Sequence, residues 1–369
     1  MKIGLIDNEY CTRENHSFPN LALMKLSSYH KRQGDDVKLI SFDTINPNLL
    51  FTEKFDKIFV SKVFSDTYTP EFMYHIPNLE YSGSGFFYDM APRLPKEIEH
   101  IKPDYDLYKN DGEYYKNFSI GFITRGCIRK CIFCINRNYS KVEFNTYPNE
   151  FIDYKIPYLM LLDDNITAYK HFEEVFKMLN DTGKPFVFKQ GMDFRLLTEK
   201  KMKIIWESNY YCPPGSLRTF HFAFDNIDDS EIIERKLKIY YENTPYKHNI
   251  WFYVLVGFDR NNKYDISFYM KDLEDMLKRI EILFRYTAYP YIMLHENYKR
   301  SPFKETIRQV CRICNFPALL GTKSIAESLK KGNKNEGYET ILKYFPKYLD
   351  LKINTYMFKN LNKINNTIV

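Results

Sequence analysis

The sequence predicts an α/β chain built on parallel sheets, and three observations predict it. Short apolar runs rich in β-branched and aromatic residues recur along the chain. Segments with helical spacing of apolar residues separate most of them. Gly, Pro, Asn and Asp gather in the connections. Strand and helix signals that alternate in this way indicate β-α-β units, because a parallel neighbour is reached only through a crossover.

Residues 2–6 read as a buried strand that starts at once. A helical pattern runs from Pro19 through Gln33 on Leu21, Met24, Leu26 and Tyr29, and Gly34 supplies the stop. Val37–Phe42 and Lys57–Val60 follow as strands, giving an open sheet. Tyr81 to Tyr108 carries Gly83, Gly85, Pro92, Pro95 and Pro103 and reads as loop and linker, with a boundary near residue 110. Strands are then expected at Ser119–Thr124, Tyr158–Asp163, Phe186–Gln190, Thr219–Phe224, Ile250–Gly257 and Tyr289–Leu294. Helices are expected at Tyr169–Leu179, Glu199–Ser208, Ser230–Tyr241 and Asp265–Arg285. An eight-stranded barrel takes about 250 residues, so six units in this shorter stretch predict a partial (β/α)6 barrel of the TIM type. After residue 300 the pattern is mainly helical. The expected domains are therefore 1–110, 111–300 and a helical C-terminal region, 301–369.

Composition narrows the function classes. Hydrophobic residues make up 44% and charged residues 27% of 369. These ordinary values exclude a disordered, collagen-like or disulfide-knot chain. Seven cysteines, an odd number, point to reduced, metal-binding or catalytic thiols rather than a secreted disulfide framework. There is no signal-peptide pattern and no apolar stretch near the roughly 18–20 residues that span a bilayer, so a cytoplasmic protein without a membrane partner is expected. The net charge is +6. Residues 301–369 hold 12 Lys/Arg against 5 Asp/Glu. Such a tail suits a phosphate backbone, and equally a solvated helical surface.

The sharpest motif is TRGCIRKCIFCINR, in which Cys127, Cys131 and Cys134 stand as C-x3-C-x2-C. Among seven cysteines this spacing arises by chance about once in 400 chains, so it is treated as a motif. Close thiolates on one loop suit an iron–sulfur cluster or zinc. Three local ligands leave a fourth position open, which a structural zinc site would have to fill from elsewhere. The loop follows a strand, and active sites of parallel α/β folds lie at the carboxyl ends of strands.

This spacing after the first strand of a six-fold β/α repeat, with Phe133 before the third cysteine, resembles the radical S-adenosylmethionine superfamily. The resemblance implies a [4Fe–4S] cluster on Cys127, Cys131 and Cys134. It implies S-adenosylmethionine on the unique iron, and a 5′-deoxyadenosyl radical that takes a hydrogen atom from substrate. It also implies an electron donor such as flavodoxin or ferredoxin. PNLALMKLSSYHKRQGDDVKLI (19–40) is similar to the Rossmann-like, cobalamin-binding-like domain of one large subgroup, and LLDDN (161–165) resembles that subgroup's Asp-Asp-Asn segment. The order GFITRGC, LLDDNI, QGMDFRLLT and FAFDN resembles a little-characterised bacterial and phage family over most of residues 1–300. That subgroup ligates cobalt with the His of an Asp-x-His-x-x-Gly segment. None of the eight histidines here has Asp two residues before it, so cobalamin is not expected.

The remaining candidates sit at strand ends. Asp163, Asp164 and Asn165 would meet the amino group of S-adenosylmethionine, as the resemblance implies, or form an Asx turn that caps the next helix. Gln190 ends the third strand. Arg195 could pair with a carboxylate of cofactor or substrate, or with its neighbour Asp193. Asp225 could take ribose hydroxyls, while His221 reads as a core histidine. Gly257 allows close approach to adenine or ribose, or forms a plain turn. Cys311 and Cys314 have helical spacing and read as core thiols, with a second metal site as the alternative. No residue stands out as a radical carrier or general base. Three functions remain open: modification of a nucleic acid or nucleotide, modification of a small molecule or peptide, and a non-catalytic iron–sulfur or zinc binding module.

Overall fold

The computed structural model describes residues 1–13, 18–49, 52–108, 117–243, 249–316, 323–330 and 335–353. The boundary expected near residue 110 and the end of the basic tail lie outside them. The chain is mixed α/β with parallel sheets, and it forms two compact units. One holds residues 1–164 and 177–187, the other 165–176 and 188–369.

The first unit opens with β1 (Lys2–Asp7), the short α1 (Asn8–Thr12), α2 (Leu21–Arg32), β2 (Asp36–Leu39) and β3 (Lys57–Ser61). A fourth strand, β4 (Leu79–Ser82), completes a sheet of order β2-β1-β3-β4 in which every pair is parallel. Alternate side chains of one strand face opposite sides. Ile3, Leu5 and Phe59 pack with Leu23 and Leu26 of α2 and with Ile98 of α4 (Lys96–Glu99). On the other side Ile6, Ile58 and Val60 pack with Ile40, Phe42, Ile45 and Met73. Both faces are covered, as parallel sheets require. Helix α2 starts where Asn20 accepts from the Leu23 N–H at 3.3 Å. Strand β4 runs into the Gly/Pro-rich stretch that suggested a linker from Tyr81. Its pairing with β3 outweighs the breakers that follow, Gly83 and the short α3 (Ser84–Phe87).

The rest of this unit carries a second parallel sheet of order β5-β8-β9, made of Phe118–Gly121, Tyr158–Leu161 and Phe186–Phe188. Between the first two, β6 (Thr124–Arg125) and β7 (Glu143–Phe144) pair antiparallel and close the neck of a loop, residues 126–142. In sequence, helix α5 (Phe172–Asp181), which the two units share, comes between β8 and β9.

The second unit contains α6 (Glu199–Glu207), β10 (Thr219–Ala223), α7 (Ser230–Asn243), β11 (Asn249–Val256), α8 (Ile266–Arg285) and β12 (Tyr289–Leu294). Its sheet, β10-β11-β12, is parallel. Phe220, Phe222, Ile250, Phe252, Val254 and Ile292 are buried on one face. The other face carries rings: His221 stacks on Tyr253 at 5.7 Å, and Trp251 on Tyr289 at 5.1 Å. Among the described residues three helices follow, α9 (Lys304–Asn315), α10 (Ile325–Lys330) and α11 (Glu336–Tyr344). Asn315 of α9 finishes the edge of β12 as a further strand would. Its amide accepts from the Ile292 N–H at 2.7 Å and donates to the Ile292 carbonyl at 3.0 Å. Among the described residues no helix is long and apolar enough to cross a membrane.

Candidate functional site

The cysteine loop is built by its neck and by two aspartates. Asp163 follows β8 and is buried. It accepts from the Thr124 N–H at 2.6 Å, the Thr124 hydroxyl at 2.7 Å and the Ile123 N–H at 3.2 Å. Burial pushes its carboxyl up to about 6, against those three donors, which favour the carboxylate. Asp164 spans the loop. It accepts from the Gly126 N–H at 2.7 Å, just before Cys127, and from the Asn136 amide at 2.9 Å, just after Cys134. Gly126 has φ +98°, and a Cβ there would meet the Lys141 carbonyl, so only glycine fits the crossing of the neck.

Cys127, Cys131 and Cys134 are half-buried and none is in a disulfide. Main-chain N–H groups reach two of the sulfurs: Arg129 to Cys127 at 3.3 Å, and Asn136 to Cys134 at 3.4 Å. A turn from the Cys134 N–H to the Cys131 carbonyl, 3.0 Å, joins the second and third thiols. Burial pushes the Cys134 thiol up to about 11. A bound metal would have to displace that proton, since thiolate is the ligand. Among the described residues no three His, Cys, Asp or Glu side chains gather round a point that could hold one metal ion. A single tetrahedral zinc gathers its ligands round one point, and a four-iron cluster takes each thiolate on a different iron. Phe133, between the second and third thiols, accepts from the Tyr88 hydroxyl at 2.7 Å through its carbonyl.

The other sequence candidates lie in the second unit. Asn165 accepts from the Thr167 hydroxyl at 2.8 Å and precedes a single 3-10 turn, Ile166–Ala168. Gln190 is exposed just past β9. Arg195 is engaged within the chain: Asp193 takes two of its nitrogens at 2.7 and 3.1 Å, and Asp229 a third at 2.7 Å. Burial works against its charge, yet these two carboxylates hold it charged.

Asp225 and Gly257 stand at the carboxyl ends of β10 and β11. The buried Arg279 of α8 ties these ends together through the carbonyls of Phe224, Asp225 and Leu255, at 3.0–3.1 Å. Asp272, one helical stretch earlier, accepts from the Gly257 N–H at 2.8 Å. Burial pushes Asp225 and Asp272 up to about 6, with Arg279 opposing it. Gly257 has φ +88°, and a Cβ there would come within 2.8 Å of Tyr298, so the backbone itself requires glycine. His221 is pushed down to about 4 by burial and by Lys189, so it is neutral at pH 7. Cys314 is fully buried in α9, and the Cys311 thiol faces the Ile292 carbonyl at 3.7 Å.

Sequence reasoning missed Gly126, Asn136, Arg279 and Asp272. The first two had a signal, since they flank the cysteine triplet directly. Arg279 and Asp272 read as ordinary helix residues, and only the fold brings them to the strand ends. No family model matches this chain, and no curated protein matches it.

Proposed function

We propose that this chain is a radical S-adenosylmethionine enzyme with a [4Fe–4S] cluster on Cys127, Cys131 and Cys134. The observation that carries the reading is the cysteine loop itself. Three half-buried thiols on one loop, none in a disulfide, are presented by a closed neck and a spanning carboxylate, with N–H donors at two sulfurs. The chemistry such a group supplies when bound is one-electron reductive cleavage of the sulfonium C–S bond. The chain's own part is to hold the thiols, to fix the loop with Asp163 and Asp164, and to offer polar groups to the cofactor. Asp164 keeps acceptor capacity beyond its two donors, since each carboxylate oxygen takes two bonds. That capacity suits the ammonium group of S-adenosylmethionine.

The finer fold belongs to the same reading. The parallel order β2-β1-β3-β4 supports a Rossmann-like N-terminal domain, and the chain order from residue 118 to 294, six strands of two parallel sheets with four helices between them, is the order expected of a partial barrel. A nucleic acid or nucleotide substrate is favoured by a separate observation. The ring-bearing face of β10-β11-β12 leaves Tyr291 40% exposed, and bases stack on such rings. An electron donor such as flavodoxin or ferredoxin would reduce the cluster.

The test is anaerobic reconstitution with iron and sulfide, then dithionite and S-adenosylmethionine. Formation of 5′-deoxyadenosine is expected. An intact cluster with no 5′-deoxyadenosine favours the non-catalytic iron–sulfur module, and zinc with no iron uptake favours the zinc module. Retention on immobilised RNA or DNA that weakens as salt rises is expected for the nucleic-acid reading. Retention indifferent to salt counts for a small-molecule or peptide substrate.

A further inference from the structure

We propose that the segment from Gly83 to Arg93 is a strap that positions the cysteine loop, with Tyr88 and Asp89 as its positioning residues. The inference rests on reading Cys127, Cys131 and Cys134 as cluster ligands. Strap and loop belong to the same compact unit.

The strap is rooted at the exit of β3. The Gly85 N–H donates to the Lys62 carbonyl at 2.8 Å, and the Ser84 hydroxyl to the Val63 carbonyl at 2.8 Å. Gly83 has φ +94°, and a Cβ at Gly83 or Gly85 would collide with Lys62. The G-x-G pair therefore serves a close passage of backbone over backbone. Beyond it, Tyr88 is held at φ 50° and ψ −117°. For a bulky side chain this is a strained conformation, and it persists only where the surroundings hold it.

Those surroundings are the loop. The Tyr88 hydroxyl donates to the Phe133 carbonyl at 2.7 Å. The Asp89 carboxylate takes the Arg137 Nε at 2.5 Å and the Asn138 amide at 3.0 Å. Arg137 in turn donates to the Ile132 carbonyl at 3.2 Å, and its guanidinium lies 5.4 Å from the Tyr88 ring centroid. Arg93 reaches the Tyr139 hydroxyl at 3.1 Å. Residues 132 and 133 are the two that separate Cys131 from Cys134. With both of their carbonyls engaged, the peptide planes between the two thiols are fixed. Asp164 holds the flanks of the triplet at Gly126 and Asn136, and the strap holds its middle. Neither Tyr88 nor Asp89 is offered as a ligand. Each acts through the loop.

The experiment uses the full chain, both metal-free and reconstituted with iron and sulfide. In metal-free protein, the alkylation rates of Cys131 and Cys134 by iodoacetamide are read peptide by peptide, with exposed Cys212 as the internal reference. Tyr88→Phe is expected to raise both rates about 5-fold relative to Cys212, the effect of one lost hydrogen bond. Asp89→Ala is expected to raise them about 10-fold or more, because a charged pair is lost. Asp89→Asn, which keeps an acceptor, should fall between wild type and Asp89→Ala. In reconstituted protein the same variants should alter the electron paramagnetic resonance line shape of the reduced cluster. Unchanged alkylation of both thiols in Tyr88→Phe, with an unchanged line shape, overturns the strap. That variant decides the matter if Asp89→Ala fails to fold. If wild-type protein takes up no cluster, the functional reading falls, while the alkylation rates still support or overturn the strap.

Discussion

The cysteine loop and the strand ends of β10 and β11 use the same residue types for opposite purposes. At the loop, Asp163 and Asp164 accept from main-chain, hydroxyl and amide donors, and the three thiols they frame are half-buried and in no disulfide. At the strand ends, Arg279 donates to strand carbonyls and Asp272 accepts from the Gly257 N–H, while Arg195 pairs with Asp193 and Asp229. The first region frames a triplet of thiols on one loop. The second is a set of internal ties. A polar residue at the carboxyl end of a strand is therefore not by position alone a ligand, and its existing partners decide the matter.

The sharpest way to break the comparison is through the thiols. Cys127→Ser, Cys131→Ser and Cys134→Ser should each lower iron per chain by about tenfold or more after reconstitution. Cys212→Ser and Cys311→Ser should leave it unchanged, as a colorimetric iron and sulfide assay would show. Equal losses in both groups would erase the distinction. Next is Arg279→Ala, which leaves strand carbonyls and two carboxylates without their buried cation. A loss of about 3–5 kcal/mol in chemical denaturation is expected, since one partner of a buried charged group is removed. A loss within about 0.5 kcal/mol would show that the ties at the strand ends do not stabilise this unit.

A third comparison uses pH. Asp163 has a folded pKa of about 6, above the ordinary 3.8, so the folded state binds its proton more tightly than the unfolded state does. Its contribution to stability is full below about pH 4 and is lost as pH rises through 6. The whole span corresponds to about 3 kcal/mol at 1.36 kcal/mol per pH unit. Wild type should therefore lose about that much relative to Asp163→Asn between pH 4 and pH 7, read from urea midpoints at each pH. A difference independent of pH would place the carboxylate's ordinary pKa in the folded loop. The smallest effect is at Gln190. It is exposed, so Gln190→Ala should change stability by no more than about 0.5 kcal/mol. If it touches the cofactor, the same change raises the S-adenosylmethionine concentration needed for half-maximal cleavage.

Much of the fold was legible because it is local. The strand expected at Tyr289–Leu294 has those bounds, and the helix expected at Asp265–Arg285 starts one residue later, with Asp265 as its cap at 2.8 Å. Strand β4 was hidden, because Gly83 and the prolines signal breaks while the pairing that makes Leu79–Ser82 a strand comes from β3, some 20 residues away in sequence. The site was legible to the same degree. The thiol spacing is contained in eight residues. The Asp164 clamp joins positions 38 and 28 residues apart, and Arg195 meets Asp229 across 34. Periodicity and motif spacing carry no information about such partners, because the crossovers between strands set them.

The most direct measurement is the electron paramagnetic resonance spectrum of the reconstituted, dithionite-reduced wild-type chain, taken before and after S-adenosylmethionine is added. Three protein thiolates on a four-iron cluster leave one iron for the cofactor. A reduced-cluster signal whose g values shift when S-adenosylmethionine binds is expected. A reduced-cluster signal that S-adenosylmethionine leaves unchanged would contradict it.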